Sequence, residues 1–157
     1  YSDEFHSEFH LSTFKGRSPM LNHLKKNFQF IGGSLQIGKA LQEAHRTYFS
    51  APANGRDKKQ FPPILVVLAS SESEDNVEEA SKALRKDGVK IISVGVQKAS
   101  EENLKAMATS QFHFNLRTVR DLSMFSQNMT HIIKDVIKYK EGAVDDIFVE
   151  GGLRICV

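Results

Sequence analysis

The sequence contains no tryptophan and only one cysteine among its 157 residues. Cys156 has no partner for an internal disulfide, so cysteine usage does not indicate a compartment. No apolar run approaches the roughly 20 residues that a membrane-spanning helix needs. A large excess of one sign of charge is also missing, because the sequence has 21 Lys and Arg residues and 19 Asp and Glu residues. The basic residues are scattered without aromatic residues between them, so neither nucleic acid nor a membrane is an expected partner.

Motifs for nucleophilic catalysis are missing as well. The sequence has no Gly-x-Ser-x-Gly elbow, and its single cysteine, next to the last residue, does not favour a Cys/His nucleophile pair. The six histidines do not follow the spacing of metal ligands. We therefore expect no enzyme activity, no catalytic residue and no cofactor.

One stretch imitates a phosphate-binding loop. Residues 33–40 read Gly-Ser-Leu-Gln-Ile-Gly-Lys-Ala, which matches the loop up to its last position, where Ala40 replaces the hydroxyl that holds Mg²⁺. A nucleotide hydrolase also needs an Asp at the end of a neighbouring apolar strand, and residues 64–68 lead instead into Ala69 and Ser70. A glycine turn that opens a helix is the better interpretation, and we expect no nucleotide.

Helical and strand patterns alternate along the chain. Apolar runs predict strands at residues 64–68, 89–96 and 111–116, and alternation around Phe9 and Leu11 predicts a further half-buried strand. Apolar residues three and four apart predict helices over residues 18–28, 37–48, 77–88, 100–107 and 122–137. Ser18 before Pro19 and the pair Ser71 and Glu74 have the spacing of helix caps. The alternation predicts an α/β fold with a doubly wound, mostly parallel sheet.

The strand at residues 64–68 is the expected centre of that sheet. Five bulky apolar residues in a row leave no polar face, which is typical of a strand that is covered on both sides. Ligands of such sheets bind beyond the carboxyl ends of the strands. The polar loop at residues 70–75 is therefore the expected site. Its acidic residues Glu72, Glu74 and Asp75 are explained by the dipole of the helix that follows.

Three blocks in this order resemble the von Willebrand factor type A domain: residues 32–41, 64–75 and 89–96. The resemblance runs from Tyr1 to about Glu150. It implies a secreted, non-catalytic module of the extracellular matrix, in a chain like those of type VI collagen, that contacts other matrix proteins or collagen chains. By analogy with the family, the contact surface consists of Ser34, Leu35, Ser70, Ser71 and Glu72.

The resemblance also implies domain boundaries. Residues 1–142 correspond to the A-type domain and residues 143–157 to a C-terminal linker or tail. Domains of this family begin with a central strand that ends in Asp-x-Ser-x-Ser, followed by a first helix, and this chain has neither before Tyr1. Residues 146–152 contain an apolar run that could enter the vacant central position, but a linker is the favoured interpretation.

The family's metal-dependent adhesion site is degenerate in this sequence. The family uses a Thr where Ser34 stands and an Asp where Ser70 stands. Ser34 can imitate a threonine hydroxyl, but Ser70 cannot supply the anionic oxygen that a hard divalent cation requires. We expect no bound metal. The alternative is an adhesion domain that binds an acidic ligand residue through Mg²⁺.

Asn128, Met129 and Thr130 form an N-glycosylation sequon, which has meaning only if the chain is secreted. The sequon falls within the last predicted helix. Met129 lies on the apolar stripe of that helix, so Asn128 is expected to face outward, but a position inside a helix is a poor one for the glycosyl transferase.

Overall fold

The computed structural model describes residues 4–10, 12–28, 32–50 and 61–140. The predicted tail at residues 143–157 lies outside these ranges, as does most of the loop before the first apolar strand. The helices are α1 (Arg17–Lys26), α2 (Ile37–Ala44), α3 (Glu78–Lys86), α4 (Glu101–Met107) and α5 (Asp121–Lys138), and a π-helical turn (His45–Phe49) continues α2. The strands are β1 (Ile64–Ala69), β2 (Lys90–Val96) and β3 (His113–Leu116). None of the helices in the described ranges is long and apolar enough to cross a membrane.

The three strands form one parallel sheet in the order β1-β2-β3. Helices α2, α3 and α4 cover one face, where Leu41, Leu84 and Leu104 are buried in one core cluster. Helix α5 covers the other face and buries Phe125 and Val136 in a second cluster. Helices on both faces of a parallel sheet confirm the doubly wound α/β prediction.

Strand β2 is the centre of the described sheet. It pairs with β1 on one side and β3 on the other. Its side chains alternate between the two faces, so Ile91 enters the cluster beneath α3 and α4 while Ile92 and Val94 enter the cluster beneath α5. All three are fully buried. Strand β2 is therefore the apolar strand of this sheet that is covered on both faces.

Strand β1 occupies a different position from the one predicted. Leu65 and Val67 pack against the cluster beneath α2 and α3, but on the opposite face Val66 is 44% exposed and Leu68 is 60% exposed. Within the described residues β1 pairs only with β2, and the α5 cluster takes from β1 only the side chain of Ile64. The prediction that residues 64–68 are covered on both sides and form the centre of the sheet is therefore wrong for this chain.

The N-terminal segment also departs from the prediction. Residues 5–10 form no strand, and the ring of Phe9 packs instead against Phe14, with centroids 5.1 Å apart, and against His23 at 5.7 Å. Helix α1 begins at Arg17 after Gly16, whose φ of +113° suits glycine, so Ser18 is not the cap. Helix α1 buries no residue completely. It contacts the preceding segment through the ring of His23, which packs against Phe9 and Phe14.

Of the caps predicted for α3 and α4, the one for α3 is wrong and the one for α4 is confirmed. Ser71 and Glu74 do not cap α3, since this helix begins at Glu78 and the Oδ1 atom of Asn76 accepts a hydrogen bond from the Glu78 amide at 2.7 Å. In α4 the Oγ atom of Ser100 accepts from the Asn103 amide at 3.3 Å, as its sequence position predicts.

Candidate functional site

Two loops meet beyond the carboxyl end of β1. One is residues 32–38, which lead into and begin α2, and the other is residues 70–76, which follow β1; we call the two together the rim. The carbonyl oxygen of Leu35 accepts from the Glu74 amide at 2.8 Å, and the Ile37 amide donates to the Oγ atom of Ser73 at 2.9 Å. These hydrogen bonds fix the two loops against each other.

Asp75 caps α2 from outside that helix. Its Oδ1 atom accepts from the Gly38 amide at 2.8 Å, and its Oδ2 atom accepts from the Lys39 amide at 2.7 Å. The Ser73 hydroxyl donates to Oδ1 at 2.7 Å and so orients the carboxylate. Amides in the first turn of a helix lack partners within the helix, and a negative charge there is also favoured by the helix dipole. The residue at the N-cap position, Gln36, provides no side-chain cap. Asp75 therefore takes the role that an N-cap side chain would have.

Gly38 allows the close approach of the two loops. A Cβ atom placed on Gly38 would lie 2.9 Å from the carbonyl carbon of Asn76 and closer still to its oxygen. Real Cβ atoms do not tolerate such a contact with backbone, so α2 could not lie this close to the loop after β1 with any larger residue at position 38.

The same arrangement explains the sequence that imitates a phosphate loop. In a true loop of that kind, backbone amides bind phosphate oxygens. Here the amides of Gly38 and Lys39 bind the Asp75 carboxylate. A phosphate at this place would have to displace a carboxylate of the same sign, which supports the interpretation of residues 33–40 as a turn and a helix start.

The five predicted contact residues occupy different parts of the rim. Leu35 is half-buried and packs against the core beneath α2 and α3. Ser34 is half-buried, and its Oγ atom accepts a hydrogen bond from the side-chain Nε2 atom of Gln36 at 3.5 Å. Ser70 and Glu72 are exposed, and Ser71 is half-buried. The structure thus brings the two predicted loops together.

Sequence reasoning missed the residues that hold the rim together. Asp75 was assigned to the start of the following helix, whereas it caps the preceding one. Ser73 and Gly38 were given no role. The available signal was the glycine of the phosphate-loop imitation combined with a Ser-x-Asp sequence after an apolar strand, but the two lie about 36 residues apart in the chain.

The rim residues do not fit a divalent cation. Ser34 and Ser70 provide neutral hydroxyls, and the carboxylate of Asp75 already accepts two backbone hydrogen bonds. A hard cation in protein prefers several anionic oxygens to offset its lost hydration. Across the described ranges no three acidic, histidine or cysteine side chains come together in a way that could hold a metal ion.

Among the residues that the structure describes, two carboxyl groups have perturbed pKa values, and both lie on helices outside the rim. A hydrogen bond from Lys82 lowers the pKa of Glu78, and one from Lys105 lowers the pKa of Glu101. Each pair is an exposed ion pair one turn apart on a helix. Such pairs stabilise helices modestly and do not indicate acid–base chemistry.

The fold and the rim define a class of protein. The family model of the von Willebrand factor type A domain matches residues 1–132, so the chain belongs to that family. A solved structure with this fold is proximal thread matrix protein 1 from the mussel byssus with a zinc-occupied MIDAS motif, at a TM-score of 0.66 and 21% identity, with coverage of 85% of this chain and 32% of that one.

Curated relatives narrow the class to type VI collagen chains. The human collagen alpha-6(VI) chain is 97% identical over 150 residues, which are 96% of this chain and 7% of the relative. The human collagen alpha-5(VI) chain is 93% identical over 145 residues, which are 92% of this chain and 6% of the relative. The chain thus spans about 7% of the length of these relatives.

These relatives refine the expected resemblance. The three sequence blocks suggested the alpha-3 chain of type VI collagen, and the comparisons give the alpha-6 and alpha-5 chains instead. The type VI assignment is confirmed. The chain is a von Willebrand factor type A domain that is similar to segments of type VI collagen chains, which are proteins of the extracellular matrix.

Proposed function

We propose that the rim is a protein-binding surface that contacts other matrix proteins or collagen chains without a metal ion and without catalysis. The observation that carries the proposal is the set of hydrogen bonds through which Asp75 and Ser73 hold the two loops together. A surface that is fixed before binding loses less conformational entropy when a partner arrives.

The exposed groups of the rim suit such contact. Ser70 and Glu72 face solvent at the end of β1, and the Ser70 carbonyl accepts from the Lys98 amide at 3.3 Å, which ties the rim to the loop after β2. Lys39 and Lys98 are exposed as well, so the surface carries both signs of charge. A polar surface that stays accessible to solvent is typical of the periphery of a protein interface.

Binding to purified type VI collagen, measured by surface plasmon resonance, tests this proposal. The variants Ser70→Tyr and Glu72→Lys change exposed rim side chains and are expected to weaken binding about tenfold or more, which corresponds to about 1.4 kcal/mol. Lys134→Glu on the exposed side of α5 is the matched control and should bind as the parent chain does. Chelation of divalent cations with EDTA should leave the affinity unchanged.

A second candidate is a metal-dependent adhesion domain that binds an acidic residue of its ligand through Mg²⁺. It is favoured by the mussel protein, whose motif holds zinc. It requires a carboxylate where Ser70 stands. Loss of type VI collagen binding in EDTA, restored by added Mg²⁺, would select this candidate and overturn the first.

We also propose that the domain covers residues 1–142, that residues 143–157 are a linker, and that β1, which lies at the edge of the sheet formed by the described residues, is less stably paired than β2. The exposure of the apolar side chains of Val66 and Leu68 supports the weaker pairing of β1. Hydrogen exchange tests it: in the 157-residue chain, β1 amides should exchange faster than β2 amides. Equal protection of the two strands would contradict the proposal.

A further inference from the structure

The N-glycosylation sequon at residues 128–130 lies outside the rim, and the function proposed for the rim gives it no role. The other asparagines, at positions 22, 27, 54, 76, 103 and 115, lack a Ser or Thr two positions later. We propose that Asn128 carries an N-linked glycan on the outer face of α5. The inference does not rest on the proposed function of the rim.

The side chains of Asn128 and Thr130, the two residues that define the sequon, point away from the core. Phe125 is buried and Met129 packs against the cluster beneath α5, whereas Asn128 and Thr130 are exposed. The 3.6-residue repeat of the helix produces this separation. A glycan on Asn128 therefore extends into solvent without displacing any core residue.

The immediate surroundings of Asn128 leave room for a sugar. Its Nδ2 atom lies 3.5 Å from the carbonyl oxygen of Met124, so the side chain extends toward the preceding turn, as helical side chains do. The side chain of Met124 is 64% exposed. A sugar attached to Nδ2 would therefore have an exposed side chain, not a packed one, as its neighbour in the preceding turn.

The chemistry requires only a co-substrate of the secretory pathway, a lipid-diphosphate-linked oligosaccharide. The Asn128 amide nitrogen attacks the anomeric carbon of the first sugar and forms a C–N bond. The bond from that carbon to the diphosphate oxygen breaks, the lipid diphosphate leaves with the electron pair, and the amide loses one proton. The second amide hydrogen stays on Nδ2 and can still donate to Met124.

The position of the glycan separates two surfaces of the domain. Asn128 lies seven residues after the start of α5, about 10 Å along the helix axis. Helix α5 covers the sheet face opposite α2, and the first residues of α2 belong to the rim. The glycan would therefore occupy the outer face of α5 and leave the rim open.

The test is to express the 157-residue chain behind a cleavable signal sequence in mammalian cells and treat both the secreted and the endoplasmic-reticulum fractions with peptide N-glycosidase F. We expect a mobility shift of one glycan and conversion of Asn128 to Asp in peptide mass spectra. Asn128→Gln and Thr130→Ala should abolish the shift. Thr130→Ser, which keeps the sequon, should retain it.

Neither readout depends on folding, because the intracellular fraction is scored together with the secreted one. Absence of a shift in both fractions of the parent chain would overturn the proposal. A shift that persists in Asn128→Gln would do so as well, since it would place the glycan elsewhere.

Discussion

Strand β1 is more uniformly apolar than β2, yet it is the less buried of the two strands. Every side chain of β2 after Lys90 is buried, whereas β1 exposes Val66 and Leu68 on one face. The two strands are paired in register, with Val66 opposite Ile92. The difference comes from their neighbours, because β2 has a strand on each side and β1 has one among the described residues. Apolar composition thus reports that a strand can be buried on both faces, but not that it is.

The sharpest test of this difference compares Ile92→Ala with Val66→Ala, which lie opposite each other on the same face of the sheet. Ile92 is fully buried, so its truncation should lower the free energy of unfolding by about 2–5 kcal/mol. Val66 is 44% exposed, and its truncation should cost less than about 1 kcal/mol. Urea unfolding measures both, and equal costs would show that β1 is as well covered as β2.

A second prediction concerns the attachment of α2 to the loop after β1. Gly38→Ala places a Cβ against the Asn76 backbone and should destabilise the domain by about 1–3 kcal/mol. Gly32→Ala is the matched control, since a Cβ there meets nothing within 4 Å, and its effect should stay within about 0.5 kcal/mol. Thermal unfolding of the two variants gives the comparison. A neutral Gly38→Ala would mean that the rim loops are not in close contact.

The third prediction isolates the carboxylate that caps α2. Asp75→Ala leaves the amides of Gly38 and Lys39 without their acceptor and should cost about 1–2 kcal/mol. Asp75→Asn keeps one acceptor oxygen and should lose less. Glu72→Ala, at an exposed position of the same loop, is the control. Hydrogen exchange of the first turn of α2 provides the site-specific readout, and unchanged protection in Asp75→Ala would exclude the capping role.

The smallest expected effect is that of an exposed ion pair on α3. A hydrogen bond from Lys82 holds the pKa of Glu78 below its ordinary value of 4.5 in the folded chain. The resulting stabilisation is present above about that pH and disappears as the pH falls through the lowered pKa. In Glu78→Gln, the free energy of unfolding should therefore fall slightly less between neutral and acid pH than in the parent chain. Urea unfolding at several pH values measures this difference, and Glu102→Gln is the control. A larger effect than that of Asp75→Ala would contradict this assignment.

Most of the fold could be predicted because its signals are local. The stripe of Val77, Ala80 and Leu84 identifies α3 without any knowledge of its neighbours, and all three residues are buried. The same holds for the cap at Ser100. Burial repeated every third or fourth residue, and an oxygen three residues before an amide, are properties of the segment itself.

The errors arose where a distant part of the chain decides the outcome. Asp75 caps α2 across a separation of 36 residues from Lys39, so its role cannot be derived from the helix that follows it in sequence. The centre of the sheet depends on the number of strands beside β1, which its own residues do not encode. The location of the rim could be predicted, because ligands of parallel sheets bind beyond the carboxyl ends of the strands. The hydrogen bonds that hold its two loops together could not be predicted.

The central claim is that the rim is held together by the Asp75 carboxylate and has no means of binding a divalent cation. Isothermal titration calorimetry of the 157-residue chain with MgCl₂ tests it most directly. The account predicts no heat beyond dilution. A saturable heat that corresponds to one tightly bound Mg²⁺ per chain, and that is lost in Ser34→Ala, would contradict it.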